Sequence, residues 1–266
     1  MLPDIDSVTD IITEIATRVI LPRFKSLAVH EVMEKNAGDI VTIADLEAET
    51  LLEKRLTDLA PGTVVVGEEA VHEDAKILKR LDGDAPVWIV DPVDGTANFA
   101  AGNPTFGSVV AYLVGGEVLA GWIHMPVKET TIVAMKGEGA RYNKEKVSVS
   151  SGVPLEEMTG LLNFGYFEPQ RRVKIQKLSQ RFALIESQRC ASHNYYSLAL
   201  GKRDFSLYHR LWPWDHAAGV LIHKEAGGYS ALLNGSPYRP TERSHGLLSA
   251  PDKQMWYDIR NYLLSD

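Results

Sequence analysis

The sequence predicts a layered protein of the mixed α+β and α/β class. Three observations carry that expectation. Residues 4–24 place Ile5, Val8, Ile11, Ile12, Ile15, Val19 and Ile20 at helical spacing, so one apolar stripe faces a core. Residues 107–114 and 117–124 are β-rich runs joined by Gly115-Gly116, a strong hairpin signal. Beyond residue 151, apolar β-rich runs alternate with helical patterns, as in an α/β layer.

In chain order, the first helix is expected to bend or end at Pro22, and Ala37-Gly38-Asp39 breaks the pattern. Residues 40–43 read as a short extended piece. A second helix carries Leu46, Leu51, Leu52, Leu56 and Leu59 and stops at Pro61-Gly62. Residues 63–66 and 87–90 are short β-branched runs of the kind that form buried strands, and residues 130–135 fit a further antiparallel strand. The first half therefore reads as helices on an antiparallel or mixed sheet. In the second half, residues 161–164, 205–208 and 229–233 are expected strands. Residues 171–185, 195–200, 216–225 and a segment from Pro251 to residue 264 are expected helices, the third closed by Gly227-Gly228. With no linker between the halves, residues 1–150 and 151–266 are expected to be subdomains of one unit.

Composition narrows the function classes. A chain of 266 residues with 45% hydrophobic and 24% charged residues can build a sizeable core. A formal net charge of -7, with no Lys/Arg block, argues against a general nucleic-acid grip. Asp4, Asp6 and Asp10 interrupt any signal-peptide pattern, and no apolar run approaches the roughly 20 residues of a membrane span. Cys190 stands alone, which removes an internal disulfide and makes a reducing compartment, the cytoplasm, the expected address.

The densest chemistry lies in Asp91-Pro92-Val93-Asp94-Gly95-Thr96. Two carboxylates at the end of a buried strand repel each other and resist desolvation, and a divalent cation is the commonest relief. Gly95 and Thr96 open a short helical turn whose backbone N–H groups suit an anion. The same residues also fit an Asp-Pro turn with a capping Asp. Glu68 and Glu69 follow another buried strand, where α/β sheets tend to place ligands. Asp215, in Trp212-Pro213-Trp214-Asp215, is expected at a helix start, as an N-cap or a metal ligand, with Ala217, Ala218 and Gly219 small enough for close backbone approach. Asp39, Thr42 and Asp45 form a further polar set that capping alone accounts for.

Covalent schemes fit poorly. Cys190 lacks phosphate-loop spacing, and there is no Gly-x-Ser-x-Gly elbow or zinc-type His/Cys spacing. His193, His216 and His223 read as packing or hydrogen-bonding residues. An oxygen-only, carboxylate-rich donor set favours Mg²⁺.

Taken together, Gly67-Glu68-Glu69, Asp91 to Thr96 with Asn98-Phe99, Trp214-Asp215 with Ala217-Ala218-Gly219, and Asp39 to Asp45 resemble the motifs of the inositol monophosphatase family, in order and spacing. Gly137-Glu138-Gly139-Ala140 and Glu225-Ala226-Gly227-Gly228 add to the likeness, which spans nearly the whole chain. The resemblance implies a layered αβαβα sandwich, a homodimer, lithium sensitivity and Mg²⁺-dependent hydrolysis of a small phosphorylated metabolite. By position, Glu68, Asp91 and the Val93 carbonyl would hold one Mg²⁺, and Asp91, Asp94 and Asp215 a second. A third, weaker ion could lean on Glu68. Gly95 and Thr96 would contact phosphate, and Thr96 with Asp45, together with Glu68, would activate water. Inositol 1-phosphate is the reference substrate, with histidinol phosphate, fructose 1,6-bisphosphate and a 3′-phosphoadenosine-type nucleotide as rivals. A non-catalytic metal- or phosphate-binding regulator is the alternative of another class. Two positions depart from the inositol-selective pattern: Tyr208 stands where an acidic side chain is expected, and His193 is bulky for the substrate wall.

Overall fold

The computed structural model describes residues 2–36 and 39–264. Of the expected break at Ala37-Gly38-Asp39, the first two residues therefore lie outside the described residues. Helix α1 (Ile5–Ile15) starts where the Asp4 carboxylate accepts the Ser7 N–H at 2.8 Å, placing an anion at the positive end of the helix. Its buried stripe is Val8, Ile11, Ile12 and Ile15. The helix does not run unchanged to Pro22. It widens into a π turn at Ala16–Ile20 and closes in a 3₁₀ turn at Leu21–Arg23, which keeps Ala16, Val19 and Ile20 on the buried side.

A hairpin unmarked by any clear alternation follows: β1 (Val32–Asn36) pairs antiparallel with β2 (Asp39–Thr42). Helix α2 (Ile43–Leu59) opens on a reciprocal cap. The Thr42 side chain accepts the Ala44 N–H at 3.2 Å, and Asp45 accepts the Thr42 N–H at 2.9 Å. Strand β3 (Val64–Gly67) leads into the short α3 (Glu68–Glu73), and β4 (Val87–Asp94) is buried along its whole length. Helix α4 (Thr96–Ala100) follows at once. Strands β5 (Gly107–Val114) and β6 (Glu117–Met125) form the expected Gly115-Gly116 hairpin, and β7 (Thr130–Met135), β8 (Gly139–Tyr142) and β9 (Glu145–Lys146) continue it. The sheet order is β3-β4-β5-β6-β7-β8-β9, with β3 and β4 parallel and the other neighbours antiparallel.

The second half contains β10 (Thr159–Leu162), α5 (Pro169–Ser179), β11 (Leu184–Glu186), α6 (Ala191–Ala199), β12 (Phe205–Tyr208), α7 (Pro213–Glu225), β13 (Tyr229–Leu232), β14 (Leu247–Ala250) and α8 (Lys253–Leu264). The helix expected over residues 171–185 starts two residues earlier and stops at Ser179, and Leu184 to Glu186 instead pair with β10. The second sheet has the order β11-β10-β12-β14-β13. Its β14, bracketed by Gly246 and Pro251, is not among the strands expected from the sequence.

Three apolar clusters give the layers. α1 and α2 cover one face of the large sheet around Trp88, Tyr112 and Trp122. α6 and α7 fill the space between the two sheets, touching Ile123 and Ile132 on one side and Leu232 and Leu247 on the other. α5 and α8 cover the outer face of the second sheet around Phe205 and Trp256. The result is the αβαβα sandwich that the resemblance implies. Among the described residues, no helix is long and apolar enough to cross a membrane.

The small residues of α7 serve the close approach expected of them. A Cβ on Gly219 would lie 2.0 Å from the Tyr195 ring, which is fully buried and tied through its hydroxyl to His216 Nδ1 at 3.0 Å. Alanine is the better helix former by about 1 kcal/mol, but overpacking a fixed ring costs more. Gly219→Ala is expected to lower stability by about 2 kcal/mol in urea unfolding; an unchanged or raised midpoint would show that the α6–α7 contact is looser than described.

Candidate active site

The site forms where two buried strand ends and two helix starts converge. β4 carries Asp91 and Asp94 into the gap between the sheets. Pairing with β5 registers Asp91 against Val109 and Asp94 against Gly107, with a bulge between. Pro92 sits in that bulge, where its missing N–H interrupts nothing, and Ser108 Oγ donates to its carbonyl at 2.7 Å. The following Gly95 has φ 91°, and a side chain there would also meet the Thr105 carbonyl at 2.9 Å.

Asp94 is held from the other half of the chain. Its Oδ1 accepts the Ala191 N–H at 3.1 Å and its Oδ2 the Ser192 N–H at 2.5 Å, so it caps α6, whose own N-cap residue, Cys190, makes no side-chain cap. The Cys190 thiol also donates to Asp94 Oδ2 at 3.1 Å, and burial beside that carboxylate pushes the thiol well above its ordinary pKa. A carboxylate at a helix N-terminus meets orphan N–H donors and a positive dipole end, which stabilises its charge in the interior.

Asp215 arrives on α7. The N-cap expectation is corrected here. Trp212 is the N-cap, Pro213 takes the first helical position with its fixed φ, and Asp215 falls in the first turn. One carboxylate oxygen each from Asp91, Asp94 and Asp215 lie within 4.8 Å of one another. Burial, then Glu68, Asp94, Asp215 and Asp45, push the Asp91 carboxyl well above the usual range. Asp91 Oδ1 is buried and has no hydrogen-bond partner among the described residues. A buried acceptor left unpaired costs about 1–3 kcal/mol, and a charged one more. Three oxygen donors with an unmet acceptor fit a hard divalent cation.

Glu68 begins α3 and lines the same cavity, which has a volume of about 190 Å³. Glu49, on α2, accepts the Glu69 and Ala70 N–H groups at 2.9 and 2.8 Å and so fixes the start of that helix. Lys35, on β1, joins the site with no sequence motif to mark it. Its Nζ lies 3.0 Å from Glu68 Oε1 and 3.0 Å from both Glu69 oxygens, with only 4% of its side chain exposed. Burial alone would depress this amine, but Glu68 and Glu69 outweigh it and raise its pKa. No motif marks Lys35; only its pairing in a hairpin brings it here.

Asp45 does two jobs. One oxygen closes the α2 cap with Thr42, and the other accepts the Thr96 hydroxyl at 3.0 Å. That hydroxyl lies equally close to the Val93 carbonyl, at 3.0 Å. Burial raises Asp45 to about 6 despite the Thr42 bonds. One carboxylate thus both closes the α2 cap and holds the Thr96 hydroxyl.

Tyr208 also lines the cavity; it is buried, and its hydroxyl accepts from Asn194 Nδ2 at 3.0 Å. His193 departs from the expectation that it forms the substrate wall. Its Nε2 lies 3.2 Å from the Phe106 carbonyl, and Ala191 and Asn194 line the cavity instead. Residues three apart share a helix face, and His193 is rotated off that face. His216 Nε2 lies 3.1 Å from the Arg210 carbonyl, which can only accept, so Nδ1 must take the Tyr195 hydroxyl proton. Burial lowers this histidine to about 4 and keeps it neutral, a hydrogen-bonding residue as expected.

Comparison with known proteins places the chain in a family. Residues 4–261 match the model of the inositol monophosphatase family. The chain is 36% identical over 206 residues to the fructose-1,6-bisphosphatase/inositol-1-monophosphatase of Thermotoga maritima, covering 76% of each. It is 29% identical over 241 residues to the inositol-1-monophosphatase of Bacillus subtilis, covering 90% of this chain and 88% of that one. Among solved structures, a Thermotoga maritima inositol monophosphatase superposes with a TM-score of 0.83 at 28% identity, covering 97% of this chain and 95% of that one. The family's members are phosphoric monoester hydrolases, and its chemistry implies use of a divalent metal. The chain belongs to the inositol monophosphatase family.

Proposed function

We propose that this enzyme is a Mg²⁺-dependent phosphomonoesterase of small polyol or sugar phosphates, with Asp91, Asp94 and Asp215 as the central metal ligands. The observation that carries the assignment is the Asp91 carboxylate: buried, crowded by other acids, and left with one unmatched oxygen. Glu68 and the Val93 carbonyl complete the donor set of a second ion beside Asp91, and a third can lean on Glu68. Bound there, Mg²⁺ supplies Lewis acidity that favours deprotonation of water and offsets charge on the phosphoryl oxygens.

The protein's own groups position the reactants. The Thr96 hydroxyl donates its proton to Asp45 or to Val93, which leaves its oxygen, at the cavity lining, as an acceptor for water. Asp45, raised by burial to about 6, accepts that hydroxyl and holds it in place. Glu68 is bonded to Lys35 through Oε1 and is the second group suited to orienting water. The backbone N–H groups of Gly95 and Thr96 are assigned to the phosphate. No protein nucleophile is needed, because the Cys190 thiol is buried, protonated and committed to Asp94.

Inositol 1-phosphate is the reference substrate, supported by the names of several relatives, and the Thermotoga maritima relative is named for fructose 1,6-bisphosphate as well. The family resemblance further supports inhibition by Li⁺ and a cytoplasmic homodimer as the working form, points for assay and sedimentation. The direct test is phosphate release with Mg²⁺, repeated with Asp94→Asn. The wild type is expected to hydrolyse at least one small phosphomonoester, and the variant to lose at least about a hundredfold in turnover. Full turnover by Asp94→Asn would remove the assignment.

Charge crowding gives a second expectation. In the fold, burial raises Asp45 to about 6, Glu49 to about 7 and Glu69 to about 8, against ordinary values of 3.8, 4.5 and 4.5. The folded chain therefore keeps protons that the unfolded chain has released. This stability is complete below about pH 4 and is lost as pH rises through 6 to 8. Buried His124, His216 and His223, each lowered to about 4 from 6.5, act oppositely, but only below pH 6.5. Between pH 6.5 and about 8.5, the urea midpoint of chelated protein is expected to fall with rising pH. Mg²⁺ should raise it more at the alkaline end; an equal effect at both ends would argue against cation relief of these acids.

A further inference from the structure

A second cavity, of about 380 Å³, is larger than the active-site cavity and shares none of its lining residues. Its volume falls in the range of small-molecule sites. Helix α7 supplies one wall through Ala217, Val220, Leu221 and Lys224, whose spacing puts them on one helix face. The loop after β13 adds Pro237, Tyr238, Arg239 and Pro240, and the large sheet adds Glu117 of β6 and Lys136 just after β7. The buried members Ala217, Leu221 and Pro240 are apolar, whereas Lys136, Lys224 and Arg239 are exposed. The cavity therefore has an apolar floor and a cationic rim. Lys136 is ion-paired with Glu117, but Lys224 and Arg239 have no ion pair among the described residues. Lys224 suits the last turn of α7, where a cation meets the helix dipole; Arg239 has no such account. On a chain with a net charge of -7, two unneutralised cations beside one apolar cavity favour an anion.

The loop wall is braced. The Leu232 N–H donates to the Ser236 carbonyl at 2.9 Å, and Pro237 and Pro240 each fix a φ angle. Arg243 donates to the Pro240 carbonyl, and its guanidinium carbon lies 5.9 Å from the centre of the Trp212 ring. Trp212 is the N-cap of α7 and stacks at 5.0 Å on Trp214, the residue before Asp215. Tyr238 makes a second connection. Its ring centre lies 6.3 Å from that of His216, the residue after Asp215, and its hydroxyl is buried with no hydrogen-bond partner among the described residues. Burial raises the pKa of this phenol, Arg243 lowers it and Asp215 raises it, so one side chain lines the second cavity and stands in the field of a carboxylate of the first.

We propose that this cavity is a second ligand site, for a small organic anion with an apolar body, and that filling it tightens metal binding at Asp215. The apolar body lies against Leu221 and Pro240, and the anionic group meets Lys224 and Arg239, whose charges strengthen its hydrogen bonds. The site itself is independent of the phosphomonoesterase reading; its effect on Asp215 rests on the metal assignment made there. A bound body wedged between α7 and the loop holds the first turn of that helix in place, and its negative charge adds to the field that attracts a cation. Both effects have the same sign, and linkage requires the metal to tighten the anion in return.

The test uses the full chain and the aromatic anion 8-anilinonaphthalene-1-sulfonate, whose fluorescence rises in apolar surroundings, with uncharged N-phenyl-1-naphthylamine as its match. Chelated wild-type protein is expected to bind about one equivalent of the sulfonate per chain, at least about tenfold more tightly than the amine. The exposed pair Lys224→Gln/Arg239→Gln should weaken the sulfonate by about tenfold, and Val220→Phe should weaken both compounds by filling the cavity. Equal affinity for the two compounds overturns the anion class. Sulfonate binding that survives in both variants overturns the site. Binding that weakens as protein concentration rises would give the cavity to a second copy of the chain, which also overturns it. Free Mn²⁺ is then followed by electron paramagnetic resonance with and without saturating sulfonate, and its affinity is expected to rise about fivefold. Unchanged Mn²⁺ affinity overturns the coupling. The absence of any saturable Mn²⁺ uptake overturns the metal assignment, a result distinct from failure of the anion site.

Discussion

The crowding of carboxylates around Asp91 is the constraint on which the rest of the structure depends. Asp91 is 1% exposed and Asp94 7%, Asp215 stands close by, and Glu68 and Asp45 contribute to the same field. Like charges in a poorly solvated space oppose folding, so each must be compensated locally. The compensation differs from residue to residue. Asp94 takes the first N–H groups of α6, Asp45 takes a cap and a hydroxyl, and Glu68 takes Lys35. Asp91 has one oxygen for which the described residues offer nothing. A metal site and a protein fold thus meet at one atom.

The same carboxylates join the layers. Asp94 belongs to the large sheet, yet it caps a helix packed between the sheets. Asp215 enters from the other helix of that middle layer, which approaches the sheet where Ala218 meets Gly121 of β6 and α6 where Gly219 meets Tyr195. The site is therefore assembled only when the α6–α7 layer is seated. Activity and the packing of the middle layer are linked by geometry.

Much of this was legible in the sequence because its causes are local. Pro92 and Gly95 bracket Asp94 in a strand-to-helix turn, and Pro213 starts a helix that puts Asp215 in its first turn. Side-chain spacing gave α1 and α2, and Gly115-Gly116 gave the central hairpin. The failures have nonlocal causes. Lys35 reaches Glu68 only through a short hairpin with no strong alternation. His193 was expected in the substrate wall, but the phase of α6 turns it toward Phe106 and presents Asn194. Arg189 and Arg210 line one cavity only because β12 and α6 lie side by side. The acidic residues sit in contiguous motifs, whereas the rest of the cavity wall is drawn together from separate elements.

The central claim is that the unmet oxygen of Asp91 belongs to a divalent cation. It is tested most directly by titrating chelated protein with Mn²⁺ and following free Mn²⁺ by electron paramagnetic resonance, for the wild type and for Asp91→Asn. The account predicts saturable uptake by the wild type and affinity weakened at least about tenfold in the variant, since one charged ligand is removed. Identical isotherms for the two proteins, or no saturable uptake by the wild type, would contradict it.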